Sequence, residues 1–214
     1  MATCSAADSG YVTSNGGLNM DDSDAYVGSP SYSLVGVFKF TKSINSILGT
    51  SATSWSQLNV TAASLAVKCR DAVIKTGYQI GISKGNPSLN VNNGNVAGII
   101  TGVTWGGTGS ANASGWFNIL SLFQKLSASN TTVVTPNTAT WYIFIKNTGC
   151  KGANRRFARK SQYDTRISIN GGWASNLFYS DGSTWTQCIP YYWDGTAWKQ
   201  CMSHYWDGTA WKQT

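Results

Sequence analysis

The sequence predicts an all-β protein: an antiparallel β-sandwich with one short helix, followed by a C-terminal array of three β-hairpin repeats. Three observations lead there. The 214 residues include 23 Gly, 10 Trp and 10 Tyr, and all nine acidic residues are Asp, so turn and β formers abound while Glu, a strong helix former, is absent. Apolar residues then alternate with polar ones through most of the chain, the period of a half-buried strand. Finally, the last part of the sequence repeats itself at a fixed offset of 13 residues. Length and repeat together divide the chain into a sandwich domain over 1–172 and a hairpin region over 173–214.

In chain order, residues 1–30 are polar and rich in Gly, Asp and Ser, with one short alternating piece at Tyr11-Val12. The stretch SLVGVFKF (33–40) places Leu34, Phe38 and Phe40 on one side of a strand. After a Ser/Thr-rich connection, residues 65–70 put Leu65, Val67 and Cys69 inward and Lys68 and Arg70 outward. Residues 78–83 do the same with Tyr78, Ile80 and Ile82. One wet face and one buried face mark antiparallel sheets rather than parallel ones. The region 86–114 is rich in Gly and Asn, with a short strand near 96–105. Over 115–126, Trp116, Ile119, Leu120, Phe123 and Leu126 fall at helical spacing and predict the single helix. Residues 141–146 are apolar on both faces and predict a central strand, and 165–170 form the last alternating strand. Gly171-Gly172 marks the domain boundary.

This order of elements carries a resemblance. The strands VGVFKF and AASLAVKC, the segment WFNILSLFQKL, the strand WYIFIKN and the closing RISING are together similar to jelly-roll β-sandwich modules of the DNRLRE type. The similarity covers roughly residues 5–170. It implies a jelly roll with the shape of a carbohydrate-binding module, a type found in bacterial surface proteins and phage structural proteins. The family's acidic residue before the last strand is not evident, since Arg159-Lys160 precede Tyr163-Asp164.

The repeats read YSDGSTWTQC (179–188), YWDGTAWKQC (192–201) and YWDGTAWKQT (205–214). Asp-Gly between aromatic flanks signals a hairpin with a type I′ turn, so Asp181-Gly182, Asp194-Gly195 and Asp207-Gly208 are the expected tips. Trp193 with Trp198, and Trp206 with Trp211, pair across the arms. Tyr179, Trp185, Tyr192 and Tyr205 complete the set of candidate binding or assembly aromatics. A lone two-stranded hairpin is marginal in water. The units therefore stack on each other, on the sandwich or on other chains, and the end of the sequence directly after the third copy favours a neighbouring chain. Such repeats are similar to short terminal repeats of phage structural and tail-appendage proteins, a second resemblance limited to 179–214.

Few residues suit catalysis. Glycoside hydrolysis needs two carboxylates on opposite sides of a bond, yet three of the nine Asp sit at hairpin tips and Asp21, Asp22 and Asp24 share one loop. That loop is a weak Ca²⁺ candidate without the Gly and closing Glu of an EF-hand. The single His204 lies between repeats, and the five Cys show no CxxC spacing, so they read as reduced structural thiols. No cofactor is implied. The net charge of +7 is local, because seven of sixteen Lys and Arg fall between 146 and 166. Arg155, Arg156, Arg159 and Lys160 form its centre, suited to an acidic partner or an anionic polymer; no nucleic-acid motif accompanies them.

Neither a signal peptide nor an apolar run of the ~20 residues that span a bilayer is present. The expectation is a non-enzymatic bacteriophage virion protein made in the host cytoplasm: a head or tail appendage, fibre or decoration subunit. Its expected partners are copies of itself, with a trimer natural for a fibre, other virion proteins and a host-surface glycan. The alternative is a carbohydrate-binding adhesin.

Overall fold

The computed structural model describes residues 1–12, 17–27, 34–85, 96–147 and 155–174, and in the C-terminal region 178–180, 182–183, 185–187, 190–201 and 204–213. Asp181, Lys151, Cys150 and Cys188 lie outside the described residues.

The strands are β1 (Ala2–Ser5), β2 (Asp8–Val12), β3 (Leu18–Asn19), β4 (Ala25–Val27), β5 (Val35–Phe40), β6 (Leu58–Lys68), β7 (Tyr78–Ser83), β8 (Val96–Val103) and β9 (Ser114–Asn118). They continue with β10 (Trp141–Asn147), β11 (Arg155–Phe157) and β12 (Arg166–Trp173), and the C-terminal hairpins add β13 to β18 (Phe178–Ser180, Trp185–Gln187, Tyr191–Trp193, Trp198–Gln200, His204–Trp206, Trp211–Gln213). Two helices, α1 (Ile44–Leu48) and α2 (Leu120–Ser129), accompany them.

The protein is all-β and antiparallel. One sheet has the order β1-β12-β6-β9 and the other β3-β2-β5-β10-β7-β8, while β4 and β11 form a separate ribbon. From β5 onward the chain steps repeatedly from one sheet to the other, so most neighbours in each sheet are distant in sequence. The inward residues of both sheets make one large core that includes Phe38, Phe40, Leu65, Val67, Tyr78, Ile80, Ile82, Phe117, Ile143 and Ile167. β10 is central, between β5 and β7, as its two apolar faces predict. Its Phe144 joins Val12, Val35 and Val37 in a second buried cluster on the opposite face of the sheet. β5 is thus buried on both sides, and the one-sided reading of Leu34, Phe38 and Phe40 captured only half of it.

Four features depart from the sequence reading. First, the helix begins at Leu120 rather than at 115. Residues 114–118 alternate as a strand, with Gly115 and Phe117 buried and Trp116 and Asn118 exposed, so the helical period starts only at Ile119. Second, a short α1 occupies the Ser/Thr-rich connection. The Ser43 hydroxyl accepts from the Ser46 amide at its start, and Gly49 at φ 68° closes it. Third, β1 lies against β12 from Ala2↔Ile169 to Ser5↔Arg166, a non-local pairing that the polar N-terminal sequence does not announce. Fourth, Gly171 and Gly172 are inside β12, opposite Val60 and Asn59 after a register shift. A Cβ on Gly171 would meet the Asn59 carbonyl at 2.5 Å, so this glycine permits a bulge rather than ending the sandwich.

Candidate functional site

The hairpins come first. In β15-β16 the register pairs Tyr191↔Gln200, Tyr192↔Lys199 and Trp193↔Trp198, and β17-β18 repeats it with Trp206↔Trp211. In β13-β14 Ser180 stands opposite Trp185 and Tyr179 opposite Thr186, so the first copy has only one ring at the position where the others have two. The Trp193 and Trp198 rings meet edge to face at 5.8 Å between centroids, a favourable quadrupole arrangement.

The second and third tips are not two-residue type I′ turns. Trp193 pairs with Trp198, which leaves four loop residues, and among the described non-glycine residues only Asp22, Asn112 and Asn130 have positive φ. The aspartate acts through its side chain instead. Asp194 Oδ1 accepts from the Thr196 amide (2.8 Å), the Thr196 hydroxyl (2.8 Å) and the Ala197 amide (2.9 Å). Asp207 repeats these three bonds with Thr209 and Ala210. Gly182, Gly195 and Gly208 lie at φ of 93°, 100° and 99°, a region costly for other residues. The Lys199 ammonium pairs with Asp194 and, with the loop donors, holds its carboxyl well below the usual carboxylate range. The second hairpin's tip is therefore locally neutral, and the described rings face water. Tyr191, Tyr192, Trp193, Trp198 and Trp206 are all half exposed or more.

The basic patch is partly spent inside the fold. Asp24, with its side chain only 5% exposed, faces three guanidinium groups: Arg70 at 3.5 Å, Arg159 at 3.6 Å and Arg156 at 3.8 Å. Arg156 also makes a bidentate pair with Asp71, at 2.8 Å from Nε to Oδ2 and from Nη2 to Oδ1. That pair lowers the Asp71 carboxyl below its ordinary range and raises the Arg156 guanidinium above its own. This cluster clamps the β4-β11 ribbon onto the end of β6. Of the four candidate contact residues, Lys160 remains exposed while Arg155, Arg156 and Arg159 are half-buried.

The calcium candidate is corrected by the same geometry. Asp24 is turned to arginines, and Asp22 accepts from the Ser161 amide at 3.0 Å, with Ser161 lowering its carboxyl. Asp21, Asp22 and Asp24 do not converge, and no metal-holding group of His, Cys and Asp occurs among the described residues.

The remaining residues separate into core and surface. Trp105 and Trp141 are buried, and Trp141 Nε1 donates to the Lys42 carbonyl at 2.8 Å. Trp116, expected on a helix face, instead stands on β9 at 54% exposure. Burial raises the Cys4 and Cys69 thiols above their ordinary range, and Cys69 Sγ donates to the Ser110 and Ala113 carbonyls; both fit inert core thiols. His204 is exposed at the start of β17. Among the described residues no helix is long and apolar enough to cross a membrane.

The sequence matches no protein-family model, and no curated protein matches it.

Proposed function

We propose that this chain is a non-enzymatic bacteriophage virion structural protein, a head or tail appendage, fibre or decoration subunit, that assembles through its C-terminal hairpins. The observation that carries this reading is the display of large rings on minimal hairpins. Clustered exposed aromatics mark contact surfaces, and two-stranded units of this size gain little stability alone. The Asp194–Lys199 pair removes charge repulsion at the second tip. A homotrimer is the simplest closed arrangement for a fibre, and other virion proteins are the remaining partners.

The strand order β1-β12-β6-β9 against β5-β10-β7-β8 supports a jelly roll for the body. The engagement of Asp22, Asp24 and Asp71 with amides and arginines supports a role without acid–base chemistry. Deleting residues 179–214 tests assembly: light scattering should show the mass falling from an oligomer to a monomer. An unchanged mass, or a full-length chain that is already monomeric, overturns it. Mass spectrometry of particles purified from an infected culture tests the virion location.

The alternative, a carbohydrate-binding adhesin module, gains from one observation, the exposed Trp116 on the sandwich.

A further inference from the structure

We propose that the outer face of the four-stranded sheet binds a neutral glycan chain, with the Trp116 ring as the stacking platform. This deepens the host-contact part of the reading above and is independent of assembly.

The ring is held in place. A Cβ built on Gly106 would lie 2.6 Å from Cε2, 2.9 Å from Cδ2 and 2.9 Å from Nε1 of Trp116. Cδ2 and Cε2 form the bond shared by the two indole rings, which in-plane neighbours flank on both sides, so only the face of the ring can be approached there. Gly106 therefore supports one face of the indole, and its amide donates to the Trp116 carbonyl at 2.8 Å. Only glycine allows this approach. With one face covered and 54% of the residue exposed, the other face is open to solvent. Holding the ring in advance removes much of the ordering cost of binding.

The floor beside it is flat and polar. Register places Trp116 opposite Ala66, and Ala66 opposite Arg166. The next outward row runs Asn118, Ser64, Ser168 and Thr3 across all four strands. At the usual strand spacing this row is about 14 Å long, enough for a chain rather than a single ring. Among the described residues no hydrogen bond engages the Ser64 or Ser168 hydroxyl. A groove lined by Trp116, Asn118, Ser64 and Thr61, with the apolar Met1 and Leu120 also in its lining, runs along the Trp116 end of this row.

These groups select the ligand class. The row itself carries no charge, the nearby Arg166 is paired with Asp164 at 2.9 Å, and Lys68 stands opposite Ser114 on the other side of the Trp116–Ala66 row, so the groups along the row are neutral. A pyranose offers C–H groups to the electron-rich ring face and hydroxyls to the serine, threonine and asparagine side chains. A protein partner would need a cluster of large apolar anchors over roughly 800 Å², and this floor offers Trp116, Met1 and Leu120 among Ala and short polar residues, one aromatic anchor in a single small groove. The hairpin rings are less suited, because Trp193 and Trp198 pack edge to face on each other.

Native affinity electrophoresis of the full chain through gels containing hydroxyethylcellulose, laminarin or galactomannan tests the proposal. At least one polysaccharide should retard the wild-type chain. Trp116→Ala should weaken that binding by about tenfold or more, the loss of one good contact, with an unchanged melting temperature. Trp116→Phe should retain part of the retardation, and Trp198→Ala all of it. Absence of retardation with all three polysaccharides overturns the proposal, as does a Trp116→Ala chain retarded like wild type. Light scattering on the same samples separates the two readings, because assembly and retardation can each fail while the other persists.

Discussion

In the sandwich, Trp55, Trp105 and Trp141 are each 1% exposed or less, whereas in the hairpins Trp193, Trp198 and Trp206 are 53–68% exposed. The same residue type thus serves two kinds of stability. The sandwich rings are closed in by a dense set of neighbours: Trp105 contacts Phe117 and Phe157, with centroids at 5.2 and 5.6 Å, and Phe117 contacts Tyr78 at 4.8 Å. The hairpins have a tip, a cross-strand pair and little else. A sheet of several strands can bury its aromatic side chains, but a two-stranded unit cannot, so its apolar surface is left for another contact.

The largest expected effect sharpens this contrast from the sandwich side. Phe117→Ala removes the ring at the centre of that aromatic cluster and should destabilise the sandwich by about 3–5 kcal/mol, read by urea titration. The edge-to-face Trp193–Trp198 signal in circular dichroism should melt at its own urea midpoint, the same in Phe117→Ala as in the wild type, because the marginal hairpin does not share that aromatic cluster. Its simultaneous loss would show that the hairpins depend on the sandwich fold.

The ion cluster gives a smaller effect with a defined pH dependence. Asp71 is held below the ordinary carboxylate value of 3.8 by Arg156. A group whose folded value is depressed stabilises fully above its unfolded value, and that contribution is lost as the pH falls through the folded value. The melting temperature should therefore drop as the pH falls below about 4, and Asp71→Asn should flatten part of that drop while lowering stability at neutral pH. The partly exposed arginines limit the neutral-pH loss to about 1–2 kcal/mol. An acid limb identical in wild type and Asp71→Asn would break the assignment.

What the sequence made legible follows the range of the interactions. The alternation of Leu65, Val67 and Cys69, and the two apolar faces of residues 141–146, are local patterns, and both survive in the structure. The segment around Trp116 misled because its period changes within a few residues, from strand at Phe117 to helix after Ile119. β1 has almost no apolar signature and exists through its pairing with β12. The Asp24 cluster joins a residue to Arg159, 135 positions away, so neither the acidic loop nor the basic stretch reveals by itself that each neutralises part of the other. Trp116 was visible only as part of a helical pattern, and the Gly106 support that defines its exposed face was not visible at all. At the second and third hairpins the Asp-Gly signal located the tips correctly and assigned the wrong turn. Counting from Trp193 to Trp198 already leaves four residues between the paired rings.

The smallest intrinsic effect tests the hairpin side most sharply. The Trp193–Trp198 contact should contribute about 0.5–1.5 kcal/mol to its own hairpin, and a double-mutant cycle with Trp193→Ala and Trp198→Ala should recover a coupling of that size in a chain kept monomeric by dilution. The sandwich's denaturation midpoint should not move. In the proposed assembly, however, Trp198→Ala also removes the outer surface of a ring that is 68% exposed in the single chain, so the dissociation constant of such an oligomer should rise by more than the pair coupling alone predicts. Interfacial tryptophans commonly account for a disproportionate share of binding. The excess over the monomer coupling measures how much of that surface another chain covers. If the two values coincide, Trp198 serves only its own hairpin, and assembly must use the Tyr191, Tyr192 and Trp206 rings instead.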